Sequence, residues 1–207
     1  MNDYSLLMNM VLVNNTFKIL NFLIRNLDLY NINQIARNLD LSVGSVHKIL
    51  KSLESRDLVK AKEIGNALYY TMNFQNIEAM KYSELILIWD KNNVLKDNKT
   101  AKVYASDLEK FYAQCIILFG SILFKKEQAR DVDVLFILND IRKINDVNNF
   151  CLEISKIRIK KINHLIMTEF DFINNIKNKN KVILDIIKKG AVLRGEEIFI
   201  KSIKNAR

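Results

Sequence analysis

Two aspartates that flank a single valine, Asp131-Val132-Asp133, are the side chains whose type and spacing are best suited to chemistry. Side chains alternate along a strand, so both carboxylates lie on one face of this segment if it is extended. The apolar residues around them indicate a buried strand, in which two bare carboxylates would repel each other and lower stability. Because a divalent cation neutralises such a pair, the sequence predicts that Asp131 and Asp133 ligate metal.

A Gly-Ser pair, Gly120-Ser121, stands upstream at the end of a short apolar run that is typical of a buried strand. The segment LFGSILFKKEQARDVDVLFIL resembles the minimal nucleotidyltransferase signature of the DNA polymerase beta superfamily: strand, Gly-Ser, helix, then Asp-hydrophobic-Asp on the next strand. The tail VILDIIKKGAVLRGEEIFIK resembles the closing helix and turn of the small members of that superfamily, so the resemblance covers about residues 114–200.

This resemblance implies a site for Mg²⁺ and for ATP or another NTP, as substrate or ligand. Gly120 would let the backbone approach the triphosphate, and Ser121 would bind a phosphate oxygen at a helix N-terminus. Asp131 and Asp133 would be the catalytic, metal-ligating pair, with Mg²⁺ bridging the nucleotide and the acceptor oxygen. Positive charge would come from basic residues between the two motifs, which an exposed basic loop explains equally well: Lys125, Lys126 and Arg130.

Two departures from the superfamily pattern leave catalytic turnover open. Active members add a third carboxylate on a later strand, and the corresponding strand here, residues 162–167, carries Asn163. An amide cannot take a proton at neutral pH, so it cannot act as the base. After Gly-Ser, this chain has Ile122 to Lys125 where members often have a small residue and Gly. Whether the chain is an enzyme therefore stays undecided, although metal and nucleotide binding are less affected.

The charge of the chain favours partners that carry phosphate. Its 207 residues carry a net charge of +9, and residues 114–207 contribute 18 basic and 11 acidic side chains. Such a surface suits nucleic acid or a nucleotide, although solubility alone explains it equally well. The densest basic run, residues 156–161, would face either a polyanion or solvent.

Cysteines, histidines and the chain start exclude several classes of protein. Cys115 and Cys151 lie in apolar contexts without metal-ligand spacing, so we expect both to be reduced core residues of a cytoplasmic protein. His47 and His164 form no zinc pattern. The apolar start of the chain is interrupted by polar residues and lacks a cleavage site, so we predict neither a signal peptide nor a membrane span.

The first third of the chain has the spacing of a helix-turn-helix. Apolar residues recur at helical intervals over residues 16–27, 32–39 and 43–56, and a three-residue turn joins the last two helices. Asn31 and Ser42 are each placed to cap the helix that follows. Two apparent strands, residues 58–64 and 67–72, enclose a Gly65-Asn66 hairpin turn.

This order of elements resembles winged-helix regulators of the MarR and ArsR type, through INQIARNLDLSVGSVHKILKSLESRDLVKAKEIGNALYYTM. The resemblance implies that the second helix of the motif enters a groove of double-stranded DNA. The candidate DNA-binding residues lie on the outward face of that helix, at its cap and on the first strand of the wing: Ser42, Ser45, His47, Lys48, Lys51 and Lys62. A solvated helix face, or a winged helix that only dimerises, is the alternative.

The sequence therefore predicts an α+β protein with a winged helix-turn-helix followed by a small nucleotidyltransferase domain with a mixed sheet. The expected division is residues 1–75, a helical connector at 76–113, and residues 114–207. The polar segment 90–100 is predicted to be an exposed break, and the apolar stripe at residues 86–89 suggests a homodimer contact. Trp89 is expected to anchor its helix on a domain or on a second subunit.

Three functions are consistent with this organisation. The first is a nucleotidyltransferase that transfers a nucleotide from an NTP to a hydroxyl acceptor with Mg²⁺. The second is a transcription regulator in which the nucleotidyltransferase fold is inactive and senses nucleotide. The third is an antitoxin-like partner of a helical toxin protein, a pairing that the resemblance implies for small members of the superfamily.

Overall fold

The computed structural model describes residues 14–207, which form two compact units that divide between Ile86 and Leu87. That division falls inside the segment predicted as a connector, and the predicted domain limits stay predictions. The expectation that the chain starts without a signal peptide rests on residues 1–13 and lies outside the described residues. Within the described part, none of the helices is both long enough and apolar enough to cross a membrane.

The first unit contains three helices and a three-stranded antiparallel sheet. The helices are α1 (Asn14–Arg25), α2 (Ile32–Leu39) and α3 (Val43–Ser55); the strands are β1 (Tyr30–Asn31), β2 (Val59–Ile64) and β3 (Ala67–Met72), in the order β1-β3-β2. Gly65 turns the hairpin between β2 and β3 at φ +60°, as its sequence position predicts. Helix α4 (Ile77–Lys96) follows.

Local side-chain bonds define the helix-turn-helix. Asn31 accepts a hydrogen bond from the backbone N–H of Gln34, and the Gln34 side chain accepts one from the Asn31 N–H, which completes a capping box. Asp40 ends α2 in the left-handed conformation at φ 53°, and Ser42 then caps α3. Both predicted caps are therefore confirmed. The apolar residues that face inward from the three helices form a buried core: Leu20, Leu23, Ile35, Ala36, Val46, Leu50 and Leu53.

The second unit is built on a mixed four-stranded sheet in the order β6-β5-β4-β7. Its strands are β4 (Cys115–Phe119), β5 (Asp131–Leu138), β6 (Lys161–Thr168) and β7 (Ala191–Arg194). Strand β4 runs antiparallel to β5 and β7, whereas β5 and β6 are parallel. The helices are α5 (Lys99–Leu108), α6 (Ile122–Lys125), α7 (Ile144–Ile157), α8 (Glu169–Lys177), α9 (Lys181–Lys189) and α10 (Glu196–Ala206), with short 3₁₀ turns at Lys126–Gln128 and Ile141–Lys143.

Both faces of the sheet are covered, which explains its almost continuous apolar strands. Even-numbered residues of β4 and β5, such as Leu118 and Phe136, share one core with Tyr104 of α5 and Val147 of α7. Odd-numbered residues such as Ile117 and Leu135 are buried on the opposite face, which α8, α9 and α10 contact. Cys115 and Cys151 are buried and reduced, as expected.

The predicted exposed break at residues 90–100 is confined to Asp97 and Asn98. Helix α4 continues to Lys96 and α5 begins at Lys99, and Asn92, Asn93 and Lys96 lie on the exposed side of α4. Asn98, between the two helices, is buried. Its Oδ1 accepts a hydrogen bond from the Ala101 N–H, and its Nδ2 donates one to the Ile122 carbonyl over 2.8 Å. A polar side chain here fixes the start of α5.

Candidate DNA-binding surface and carboxylate site

Helix α3 carries the candidate DNA-binding face. Val46, Leu50 and Leu53 point into the core of the unit, so the opposite side of the helix is left to solvent. His47, Lys48 and Lys51 lie on this exposed side, as predicted, and Val43 and Gly44 are exposed at its start. A helix that exposes its first turn in this way can approach the edges of base pairs.

Two of the predicted DNA-binding residues are engaged within the protein. The Ser42 hydroxyl accepts a hydrogen bond from the Ser45 N–H over 3.2 Å, so its first role is to cap α3. Ser45 itself is half-buried. Lys51 donates to Glu54 over 2.9 Å, and this hydrogen bond raises the pKa of the exposed ammonium group.

The wing places Lys62 on a different face from the one that looks toward α3. In the β2–β3 ladder, Lys62 pairs with Tyr69, whereas Leu68 pairs with Glu63 and shares its face with the buried Tyr70. Lys62 therefore lies with Lys60 on the outer face of the wing, because alternate residues of a strand face opposite sides. The structure does not bring it to the side chains of α3.

A groove of about 520 Å³ lies between the start of α3 and the turn of the wing. It was not predicted, because its walls come from three separate stretches and contain no Lys, Arg, Asp or Glu. Its lining residues are Asn31, Ile32, Asn33, Val43, Gly44, His47, Asn66, Ala67 and Leu68. The polar Asn33 and Asn66 and the exposed Leu68 thus join His47 as candidate contact residues.

In the second unit, the ends of β4 and β5 bring together the Gly-Ser and Asp-Val-Asp motifs. Phe119 pairs with Asp133, and Gly120 follows in the left-handed conformation at φ +78°. A Cβ atom added to Gly120 would overlap Asp133 Oδ2, so only glycine lets the backbone pass this close to the carboxylate. Asp131 and Asp133 share a face and are half-buried.

Asn163 completes this cluster from the neighbouring parallel strand. It pairs with Asp133 in the β5–β6 register, which is the position that the sequence assigned to a third carboxylate. Its Nδ2 donates to Asp131 Oδ2 over 2.7 Å and lies 3.4 Å from Asp133 Oδ1. The amide N–H groups therefore face both carboxylates, where a metal-binding carboxylate would present oxygen.

Burial is the largest influence on the pKa of Asp133. Partial burial raises the pKa of the Asp133 carboxyl above its ordinary value, the hydrogen bond from Asn163 lowers it, and the charge of Asp131 raises it again. On the other face of β6, His164 Nε2 lies 2.7 Å from Asn148 Oδ1, and burial lowers the pKa of this histidine. His164 is thus directed away from the carboxylates.

The remaining predicted nucleotide-binding residues surround the Gly-Ser turn in different ways. Ser121 is the N-cap residue of α6, and its side chain makes no capping bond to that helix. Helix α6 is only four residues long, and Asn98 fixes its first carbonyl. Lys125, Lys126 and Arg130 are exposed. A small cavity of about 140 Å³ lies beside Gly120, and Asp185 and Lys189 of α9 line its far side.

The residues of this cluster do not fit a two-metal transfer site. Within residues 14–207, nowhere do three or more His, Cys, Asp or Glu side chains converge as metal ligands. The third partner of Asp131 and Asp133 is an amide oriented as a hydrogen-bond donor, and Glu169 and Asp171 belong to the first turn of α8. Asp171 bonds Thr168 in a capping box there. Neither acid supplies the missing base.

Much of the basic run at residues 156–161 is used within the unit. Arg158 Nε donates to the buried Asp107 over 2.7 Å, and Lys160 Nζ donates to the carbonyl oxygens of Glu127 and Ala129. Lys156 pairs with Glu153 on the surface of α7. The sequence predicted that this run faces a polyanion or solvent, and it did not predict the internal partners of Arg158 and Lys160.

One comparison with known proteins bears on the first unit. Residues 13–60 match the family described as winged helix-turn-helix DNA-binding. A solved structure of a cysteine-to-serine mutant of ZitR from Lactococcus lactis aligns at 19% identity, over 53% of this chain and 80% of that one, with a TM-score of 0.31. No curated protein matches the chain.

The family match covers the capped α2–α3 pair and reaches the first residues of the wing. The antiparallel β2–β3 hairpin follows directly, with the turn and register that the sequence predicts. Residues 13–60 are thus a winged helix-turn-helix of the DNA-binding type.

Proposed function

We propose that this chain is a transcription regulator that binds double-stranded DNA through α3, and that its second unit is a nucleotidyltransferase-type fold without transfer activity. The observation that carries the first part is the exposed face of α3 in a unit that matches the DNA-binding winged helices. The second part rests on Asn163, whose amide stands in the position of the third carboxylate.

Two lysines with matched surroundings allow the DNA-binding part to be tested. Lys51 on α3 pairs with Glu54 at 2.9 Å, and Lys81 on α4 pairs with Glu84 at 3.0 Å, both with i,i+3 spacing. Replacing either by alanine removes the same charge and the same kind of surface pair. Only Lys51 lies on the face of α3 that we assign to DNA.

The experiment measures binding of random duplex DNA by fluorescence anisotropy at several salt concentrations. We expect Lys51→Ala and Lys48→Ala to weaken binding, and each to reduce the slope of log K against log salt by about 1, because each lysine neutralises one phosphate. Lys81→Ala should leave both values unchanged. Absence of binding at low salt, or equal effects of Lys51→Ala and Lys81→Ala, would contradict the proposal.

A second candidate function is nucleotide binding or transfer at the Gly-Ser turn, with Mg²⁺ and ATP or another NTP as ligands. The convergence of Gly120 with Asp131 and Asp133 at the ends of β4 and β5 favours it, because these are the residues to which the superfamily resemblance assigns the nucleotide and Mg²⁺. Calorimetric titration of ATP with and without Mg²⁺ tests binding, with Ser121→Ala and the double variant Asp131→Asn/Asp133→Asn as controls. Transfer of label from ATP to a lysate component, abolished in the double variant, would replace our inactive-fold proposal by the enzyme.

Assembly with other chains is a separate part of the proposal. Ile86 and Leu87 of the predicted stripe are buried within the chain, so we propose a homodimer through the exposed Leu85 and Ile88 of α4. Sedimentation at micromolar concentration tests this, and a clean monomer would contradict it. Pairing with a helical toxin-like protein is the weaker alternative, because a fused DNA-binding unit already accounts for a self-contained regulator.

A further inference from the structure

The first turn of α3 presents no charge to its ligand. The Ser42 cap fixes Val43 and Gly44 as the first helical residues, and both are exposed. A Cβ atom at Gly44 would meet nothing within 4 Å, so nothing in the described chain requires glycine there. Glycine destabilises a helix relative to alanine, and its presence leaves space for a surface that approaches from outside.

Two exposed apolar side chains line the groove in front of this turn, beside the polar Asn31, Asn33, His47 and Asn66. Val43 is 49% exposed on the helix side, and Leu68 is 39% exposed on the wing side. The register places Leu68 on the same face of β3 as the buried Tyr70, so it extends the core side of the wing toward α3. Glu63 pairs with Leu68 and is the acidic group on this face.

The positive charges of α3 lie farther along the helix. Lys48 and Lys51 are one and two turns beyond Val43 on the exposed side, where they can reach phosphates. The N-terminal turn of a recognition helix reaches base edges instead. In the major groove the thymine methyl group is the apolar feature among these edges, and apolar side chains contact it.

We infer that Val43, supported by Leu68 across the groove, recognises the methyl group of thymine, so that the DNA site carries thymine beneath the start of α3. This inference rests on the proposed DNA-binding function and adds a base preference to it. We assign DNA as the partner of this protein surface. Binding of a second copy of the chain at the same surface would contradict the inference.

The experiment uses the full-length protein and a duplex enriched from random DNA by repeated selection. Each thymine of that duplex is replaced in turn by deoxyuridine, which lacks only the methyl group. We expect one or two positions at which the wild-type protein binds the deoxyuridine duplex about fourfold more weakly, as burial of one methyl group predicts. With Val43→Ala this ratio should fall to about one at those positions.

Ile77→Ala is the matched control, because Ile77 is also an exposed β-branched residue at the first position of a helix in the same unit. It should keep the full discrimination. Thermal unfolding checks that both variants are folded. DNA binding without any deoxyuridine-sensitive position, discrimination that survives Val43→Ala, or a dimer disrupted by Val43→Ala would overturn the inference alone. Failure to bind any duplex would overturn the proposed function as well.

Discussion

The side-chain amide of Asn163 donates to Asp131 Oδ2 over 2.7 Å from a position that pairs in register with Asp133. Two carboxylates on one strand face thus have a hydrogen-bond donor beside them. The sequence predicted that only a metal ion would make the pair tolerable. The amide supplies part of that stabilisation, because N–H groups directed at a carboxylate favour its charged form.

Asn163→Asp replaces this donor by a third carboxylate. In the presence of EDTA we expect the variant to melt several degrees below wild type, since about 1 kcal/mol corresponds to 2–4 °C in a chain of this size. Millimolar Mg²⁺ should restore most of the loss, because three carboxylates can hold the cation. Asn163→Ala, which removes the donor without adding charge, should show no such recovery. An Asn163→Asp variant as stable as wild type in EDTA would contradict this account.

The carboxyl of Asp133 should make stability fall as pH rises. Its pKa in the folded protein is raised above the ordinary 3.8, so the folded state holds the proton more tightly than the unfolded chain. Its favourable contribution is complete below 3.8 and is lost as pH rises through the raised folded value. We therefore expect Asp133→Asn to be more stable than wild type at pH 7, and the difference in urea unfolding to shrink toward pH 4. A constant difference across this range would show that Asp133 is not the titrating group.

Asp107 should have the opposite effect on the pH dependence of stability. Hydrogen bonds from Arg158 and Lys110 outweigh its burial and lower its pKa below 3.8. Its contribution to stability is therefore present above pH 3.8 and is lost as pH falls through the lowered folded value. Asp107→Asn should reduce the free energy of unfolding at pH 7 by about 1.5–3 kcal/mol, the range for a hydrogen bond to a charged group. Asp185→Asn, which removes an exposed pair with Lys189, is the control and should change it by less than about 1 kcal/mol.

Asn98 is a third position where a buried polar side chain should contribute to stability. Asn98→Ala removes the cap of α5 and leaves the Ile122 carbonyl without its partner. Together these losses should lower the free energy of unfolding by about 2–4 kcal/mol, measured in urea. Asn93→Ala, an exposed asparagine of α4, should change it by no more than about 0.5 kcal/mol. Similar values for the two variants would mean that Asn98 does not fix the helix start.

Substitution by alanine should lower the stability of the protein at Gly120 and raise it at Gly44. Gly120→Ala places a Cβ against Asp133 in a left-handed backbone, so we expect a large loss of stability that is smaller in an Asp133→Ala background. Gly44→Ala meets open space in an ordinary helix and should raise the free energy of unfolding by about 0.4–1 kcal/mol. Urea unfolding of the three variants and the double variant measures both effects. A Gly120→Ala loss that is unchanged in the Asp133→Ala background would exclude the contact.

Elements whose signals are local were predicted well from the sequence. The Asn31 and Ser42 caps, the Gly65-Asn66 turn and the strand that carries Asn163 each follow from residues a few positions apart. The fold class, a winged helix-turn-helix followed by a mixed sheet, is confirmed for the same reason.

Features that depend on distant partners were missed. The break predicted at residues 90–100 is shorter than expected, because its first residues form the exposed end of α4, and nothing in the local sequence shows that Asn98 bonds to Ile122. Arg158 gave no sign of its pair with Asp107, which lies 51 residues away in the chain. The outward position of Lys62 follows from a ladder register that was not worked out in advance. The roles of Asp131, Ser121 and the other candidate site residues stay predictions.

The open space around Gly44 means that substitutions at this position can affect recognition without affecting folding. Because no neighbour constrains that side chain, a library of all twenty residues at position 44 should yield mostly folded, well-expressed protein. Differences among those variants would then report on the molecular surface that α3 meets. Position 44 is therefore where the recognition properties of this protein can be altered with the least effect on its folding.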